Sequence, residues 1–333
     1  MTNKMEVPDS CKNILFVSEG GLGRVIASTA VVAKIKQKYP EKNIIVITGY
    51  PDIFLYNPHV FKVFHFEKPT YFYDDFVTPE SFLMHVEPYR WHDYLHTDKH
   101  LISAWCEMLG LDPTDAKPEL YFLKKEDEAG KIYIEKLTGN GKKKFILFQW
   151  IGGIVPKNKN DGEYMDAISR MHKRALSKSV AQKLVNKLVS RGYVVGCTQH
   201  ENHPDLQDVE RVFFPIRNVL VLLKYSAGFI GIDSFLQHTA AAMNVPGVVV
   251  WGGTSPKRLG YDFHCNLTKS VCPTPFCHRP NSYIFDANPS GFIWNCPHDE
   301  KCMDYDADEI IKAFEDQKSA SKKTEPVEET VPE

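Results

Sequence analysis

The order of elements along the chain is its strongest constraint. Apolar runs at Ile14–Val17, Ile44–Ile47 and Val60–Phe66 read as strands, and Arg24–Lys38 sets Val25, Ile26, Val32 and Ile35 at helical spacing between the first two. Strand, helix, strand at this separation is a parallel crossover unit. Helices are expected at His100–Leu109 and Glu126–Leu137, and Thr138-Gly-Asn-Gly-Lys-Lys-Lys144 then has the composition of a linker. Beyond it the pattern restarts: strand Phe145–Gln149, helix Ser177–Ser190, strand Tyr193–Cys197, helix Asn218–Tyr225, strand Gly228–Ile230, helix Phe235–Met243, strand Gly247–Trp251 and a last helix Asp306–Lys318. Two Rossmann-like α/β halves facing one another satisfy that order, with the ligand in their cleft. The expected units are residues 1–140, residues 141–318 with a cysteine-containing segment at 265–302, and a polar tail at 319–333 too poor in apolar residues to order itself.

Charge and composition narrow the function. The 333 residues suffice for two ordinary cores, and the net charge of −2 gives no global basic field for nucleic acid. Residues 1–140 carry 16 Lys and Arg against 20 Asp and Glu, whereas the rest carries 24 against 22, so the second half better suits an anionic ligand. No run of eighteen apolar residues and no apolar leader core occurs, so a cytoplasmic protein is expected, meeting any lipid-linked acceptor peripherally at the inner membrane surface. Eight cysteines in such a chain read as thiols or metal ligands rather than a disulfide frame.

Chemistry concentrates in two blocks. In Tyr225–Pro256 two strand ends and one helix start converge, so that the first turn after Asp233-Ser234 offers free N–H groups and a positive dipole end to a phosphate. Asp233 would repel a bare pyrophosphate there, which assigns it to capping the helix and accepting hydrogen bonds from sugar hydroxyls. The other block is the turn Gly20-Gly21-Leu22-Gly23-Arg24, where Gly20, Gly21 and Gly23 permit positive φ and close backbone approach to a ligand, or serve only the tight turn. A dinucleotide fingerprint would need a third glycine near Ile26 and an acid closing the second strand. Ile47-Thr48-Gly49 supplies none, and the P-loop signature is absent.

Ile14–Pro40 and Tyr225–Pro256 together resemble the heptosyltransferase family, glycosyltransferase family 9 of the ADP-heptose:lipopolysaccharide type. Its members share a strand, Ser-Leu-Gly-Asp turn and helix, then a strand, Asp-Ser, His, Ala-rich helix and Gly-Pro-Thr-Ser-Pro run. The resemblance implies a GT-B fold and metal-independent, inverting transfer of a heptose or related sugar from a nucleoside diphosphate donor, ADP-heptose-like first, to a glycan acceptor such as lipopolysaccharide core. It implies donor contacts at Lys173, Arg174, Asp233, Ser234, His238, Thr254 and Ser255. Lys157 and Lys159 are further phosphate candidates, and Gln199, His200 and Glu201 are placed to meet base or ribose.

The departure at Arg24 matters most, because the family places its proposed general base there and a guanidinium cannot be one. Three assignments stay open: Glu19 at the strand end supplies the carboxylate, a histidine of the aromatic 67–97 stretch (His85, His92, His96) does so, or Arg24 binds an anionic group while another residue takes the proton. The same chemistry on another acceptor, such as a hydroxymethylated DNA base, and a non-catalytic sugar-nucleotide-binding protein are the rival functions. Cys272, Cys277, Cys296 and Cys302, at spacings looser than the usual knuckle, are candidate ligands for a structural zinc; no cofactor is expected in the chemistry.

Overall fold

A computed structural model describes residues 5–67, 70–152, 174–198, 200, 203–212, 215–273, 275–276 and 298–321. Their strands form two wholly parallel sheets. The first has four strands, β1 (Asn13–Ser18), β2 (Asn43–Thr48), β3 (Lys62–His65) and β4 (Ser81–Met84), in the order β3-β2-β1-β4. The second has six, β5 (Lys144–Phe148), β6 (Tyr193–Thr198), β7 (Glu210–Val212), β8 (Phe229–Ile232), β9 (Gly247–Val250) and β10 (Cys265–Leu267), in the order β10-β9-β8-β5-β6-β7. This is the α/β, two-sheet arrangement expected from the sequence. Three strands were not read from it: β4 lies inside the 67–97 stretch, and β7 and β10 are three residues each.

In both sheets the chain runs outward from a central strand and then returns to that strand's other side. The order reverses between β1 and β4, and again between β5 and β8. Connections diverge at such switch points and leave a crevice beyond the strand ends, where ligands of open α/β sheets bind.

Side chains alternate across each sheet as the pleat requires. Ile146, Phe148, Ile230, Ile232, Val248 and Val250 pack on one face with helices α6 (Lys178–Ser190) and α10 (Ala307–Ser321), while Phe145, Leu147, Phe229, Val249 and Trp251 pack on the other. That second face meets α7 (Ile216–Lys224), α8 (Phe235–Ala242) and Ile134 of α5 (Lys124–Leu137). In the first sheet Ile14, Phe16, Ile44 and Val46 bury against α1 (Leu22–Lys38) and α4 (Leu101–Met108). Each such side chain contributes about 1.5–3 kcal/mol on burial.

The halves are in contact. Leu220 of α7 joins the first sheet's core, and Tyr94, Leu101 and Ala104 join the second's. Arg217 of α7, almost fully buried, holds both oxygens of Glu126 at 2.7 Å and donates to the carbonyls of Asp52 and Tyr121 at 2.8 and 2.7 Å. The expected linker is an ordered turn with Gly139, Asn140 and Gly141 all at positive φ (64°, 55° and 80°). The last helix continues through Ser321, three residues into the segment expected to be disordered.

Candidate active site

Beyond β1 the chain passes Glu19 and the Gly20-Gly21 turn before entering α1. Gly20 has φ +96°, and a Cβ there would lie 2.9 Å from Arg24 Cδ, so both conformation and space require glycine. Gly21 faces open space, as close ligand approach needs. Gly23 has a different role: a Cβ on it would lie 2.8 Å from His238 Cδ2 and 3.3 Å from the Phe235 backbone. It lets α1 touch the start of α8, across the two halves, rather than making room for a ligand.

Arg24 folds back under this turn. Its Nη1 donates to Glu87 Oε2 at 2.9 Å, and its guanidinium lies over the Tyr89 and Trp105 rings at 4.8 and 5.0 Å. Glu87 uses its second oxygen to accept the Tyr89 backbone N–H at 3.0 Å. Arg24 Nε, also buried, has no partner among the described residues. Five residues before Arg24 and two before Glu87, Glu19 Oε2 meets His85 Nε2 at 3.4 Å, both side chains about half exposed. His92 lies against Asp93 at 3.4 Å and stacks on His96, and neither histidine pairs with Glu19.

On the other side, Asp233 follows β8 and is buried. It is not the helix cap: Ser234 holds that position and uses its hydroxyl to accept Gln149 Nε2 at 3.0 Å instead of capping α8. The first-turn N–H groups of α8 thus keep no side-chain cap, and Asp233 Oδ1 accepts Gln237 Nε2 at 3.4 Å. Arg174 donates to the Asp233 carbonyl at 3.3 Å and holds Nη1 3.9 Å from its carboxylate, uniting two residues 59 positions apart. Thr254 and Ser255, beyond β9, are buried, and Thr254 Oγ1 has no partner among the described residues.

Tyr89 senses both sides. Burial raises its phenol to about 12, Arg24 opposes the rise, Asp233 and Glu87 add to it, and Arg174 opposes it. His238 Nδ1 meets the Tyr261 hydroxyl at 2.8 Å. Burial, with His100 and His264 nearby, lowers His238 to about 3, so it stays a neutral hydrogen-bonding group at any ordinary pH. His100, from the first half, lies against the Tyr261 ring at 5.5 Å between centroids and is lowered to about 4, chiefly by burial.

Lys173, Lys157, Lys159, Gln199, Glu201, Cys277 and Cys296 lie outside the described residues. Cys272 is a free thiol, and no metal-binding cluster occurs among the described residues. No described helix is long and apolar enough to cross a membrane. Glu87, Tyr89, Gln149, Gln237 and Tyr261 are the site residues that sequence reasoning missed.

Two parallel α/β sheets, each with its own switch point and packed against one another, are the arrangement of the GT-B class. Three solved structures make the likeness specific. A family 9 glycosyl transferase from Veillonella parvula matches 95% of this chain and 99% of its own at TM-score 0.62 and 13% identity. The E. coli ADP-heptose lipopolysaccharide heptosyltransferase II matches 93% and 99% at 0.60 and 11%. The heptosyltransferase TibC of enterotoxigenic E. coli, iron-containing and solved with ADP-D-β-D-heptose, matches 93% and 77% at 0.60 and 15%. The fold is that of the family 9 heptosyltransferases across nearly the whole chain. No family model and no curated protein matches the sequence.

Proposed function

We propose that the chain transfers a sugar from a nucleoside diphosphate donor to an acceptor hydroxyl, with the donor over α8 and the acceptor over the first sheet. The observation that supports this most is the Arg174–Asp233 pairing at the uncapped start of α8, at the β5/β8 switch point of a GT-B fold. The helix N-terminus, Arg174 and Lys173 take the diphosphate and stabilise the charge that develops as it leaves, which is electrostatic catalysis without a divalent ion. Asp233 takes sugar hydroxyls, and Thr254 and Ser255 add hydroxyl contacts. His238 contributes as a neutral group, because it is lowered to about 3.

The favoured donor is an ADP-sugar of the heptose type, as in the TibC complex, and the acceptor is a glycan such as lipopolysaccharide core. Zinc, if held by Cys272, Cys277, Cys296 and Cys302, is structural. A second reading has its own support: Arg24 stands at the family's base position and is committed to Glu87, which suits a binding protein without transfer. Release of nucleoside diphosphate from ADP-heptose, GDP-mannose or UDP-glucose, with deacylated lipopolysaccharide core as acceptor and EDTA present, decides between them. Turnover persisting in EDTA supports the first reading. Donor binding without turnover supports the second, and turnover that only magnesium or manganese restores overturns the metal-free mechanism.

A further inference from the structure

The first sheet carries an arrangement that no single motif announces. β1 and β4 are parallel neighbours in register, Phe16 opposite Met84, so their C-terminal ends open on the same crevice. Glu19 is the first residue beyond β1 and His85 the first beyond β4, with Oε2 and Nε2 3.4 Å apart. A few residues further on, the buried Arg24 in the first turn of α1 is fastened to the partly exposed Glu87 of the second loop at 2.9 Å. That inner pair joins opposite charges, so it brings no net charge to this corner. It fixes the loops while the outer pair remains half exposed and open to a ligand. Tyr89, on the second loop, senses Asp233 and Arg174 on the donor side.

The geometry points to His85, with Glu19 behind it, as the group that takes the proton from the acceptor hydroxyl. The inference rests on the glycosyltransferase reading above. Glu19 keeps a proton on Nε2 and so leaves Nδ1 with its lone pair. As the acceptor oxygen bonds to the donor's anomeric carbon, its proton passes to Nδ1, and the bond from that carbon to the diphosphate oxygen breaks with its electron pair leaving on the diphosphate. Glu19 then stabilises the imidazolium. The 3.4 Å contact sets the two groups side by side, and catalytic hydrogen bonds often tighten only in the Michaelis complex. Glu19 is a positioning residue here and His85 the catalytic one, which separates two of the alternatives that Arg24's presence leaves open.

The test uses the full chain and whichever of ADP-heptose, GDP-mannose or UDP-glucose stabilises it against heat. His85→Gln should retain the thermal shift with the matching nucleoside diphosphate and lose about 10²–10⁴-fold in turnover, the usual loss for a general base. Added imidazole should restore part of the rate in His85→Ala. Glu19→Gln should lower turnover less, with Michaelis constants for donor and acceptor unchanged, and Glu19→Asp should restore part of the lost turnover. Full turnover in either His85→Gln or Glu19→Gln overturns the proposal. A wild-type chain that binds no nucleoside diphosphate and turns over no donor refutes the glycosyltransferase reading itself, and the proposal falls with it.

Discussion

Replacing Arg24 probes the point where this chain departs furthest from the family it resembles. The Arg24 side chain is 6% exposed and its partner Glu87 25%. Removing one partner of a buried ion pair costs about 3–5 kcal/mol, because a charge is left without compensation. Glu87 keeps part of its surface in water and one oxygen on the Tyr89 N–H, which places the loss at or just below the bottom of that range, about 2–3 kcal/mol. Losing the stack on Tyr89 and Trp105 adds about 1 kcal/mol. Arg24→Met should therefore destabilise by about 3–4 kcal/mol. Arg24→Asp, which restores the family's residue, should cost more, since it sets a second carboxylate beside Glu87, and it should not raise activity.

The double variant Arg24→Met with Glu87→Gln removes both charges and should recover much of the loss, giving a coupling energy at the upper end of about 0.5–3 kcal/mol. Urea unfolding of the four proteins, followed by circular dichroism, reads this cycle. A double variant no more stable than Arg24→Met alone, or a single variant within about 1 kcal/mol of wild type, would refute the argument that the pair holds the two loops together.

Three further outcomes are expected. Gly23→Ala should destabilise by about 1–3 kcal/mol, the usual cost of overpacking, because its Cβ would meet His238 and Phe235 across the two halves; urea midpoints check this. Asp233→Ala should lower transfer more than binding of the plain diphosphate, and equal losses in turnover and calorimetric affinity would remove its assignment to the sugar. Burial lowers His238, His100 and His264 to about 3, 4 and 4, below the 6.5 of a free imidazole, so the unfolded chain binds more protons between those values. Stability present above about pH 6.5 should fall as the pH drops toward 4, and His100→Gln should flatten that fall in a series of melts.

The long elements are legible in the sequence because burial on both faces writes continuous apolar runs, as in Ile44–Ile47 and Gly247–Trp251, and because α1 and α6 repeat apolar residues at helical spacing. β4 is not, since only Met84 of its four residues is buried and aromatic neighbours mask it. β7 and β10 are too short to show a period. Within the site, Asp233, Arg174, Glu19 and Arg24 can be read because each sits at a strand end or beside a helix start. Glu87, Tyr89 and Tyr261 cannot: each matters through a partner far away in the chain, and no spacing encodes Arg24 meeting a residue 63 positions on. Gly23 is legible as a required glycine but not for its reason, which is the approach of α8.

The most direct measurement is the thermal stability of the wild-type chain titrated with ADP, GDP and UDP in EDTA, with the dissociation constant taken from calorimetry. A donor site at the start of α8 predicts that at least one of them binds without a divalent ion, stabilising the protein by about 2.7 kcal/mol at a hundredfold excess over that constant. Arg174→Ala should weaken the same binding. Absence of any shift with all three nucleotides, or an Arg174→Ala variant that binds as tightly as wild type, would contradict a diphosphate site there.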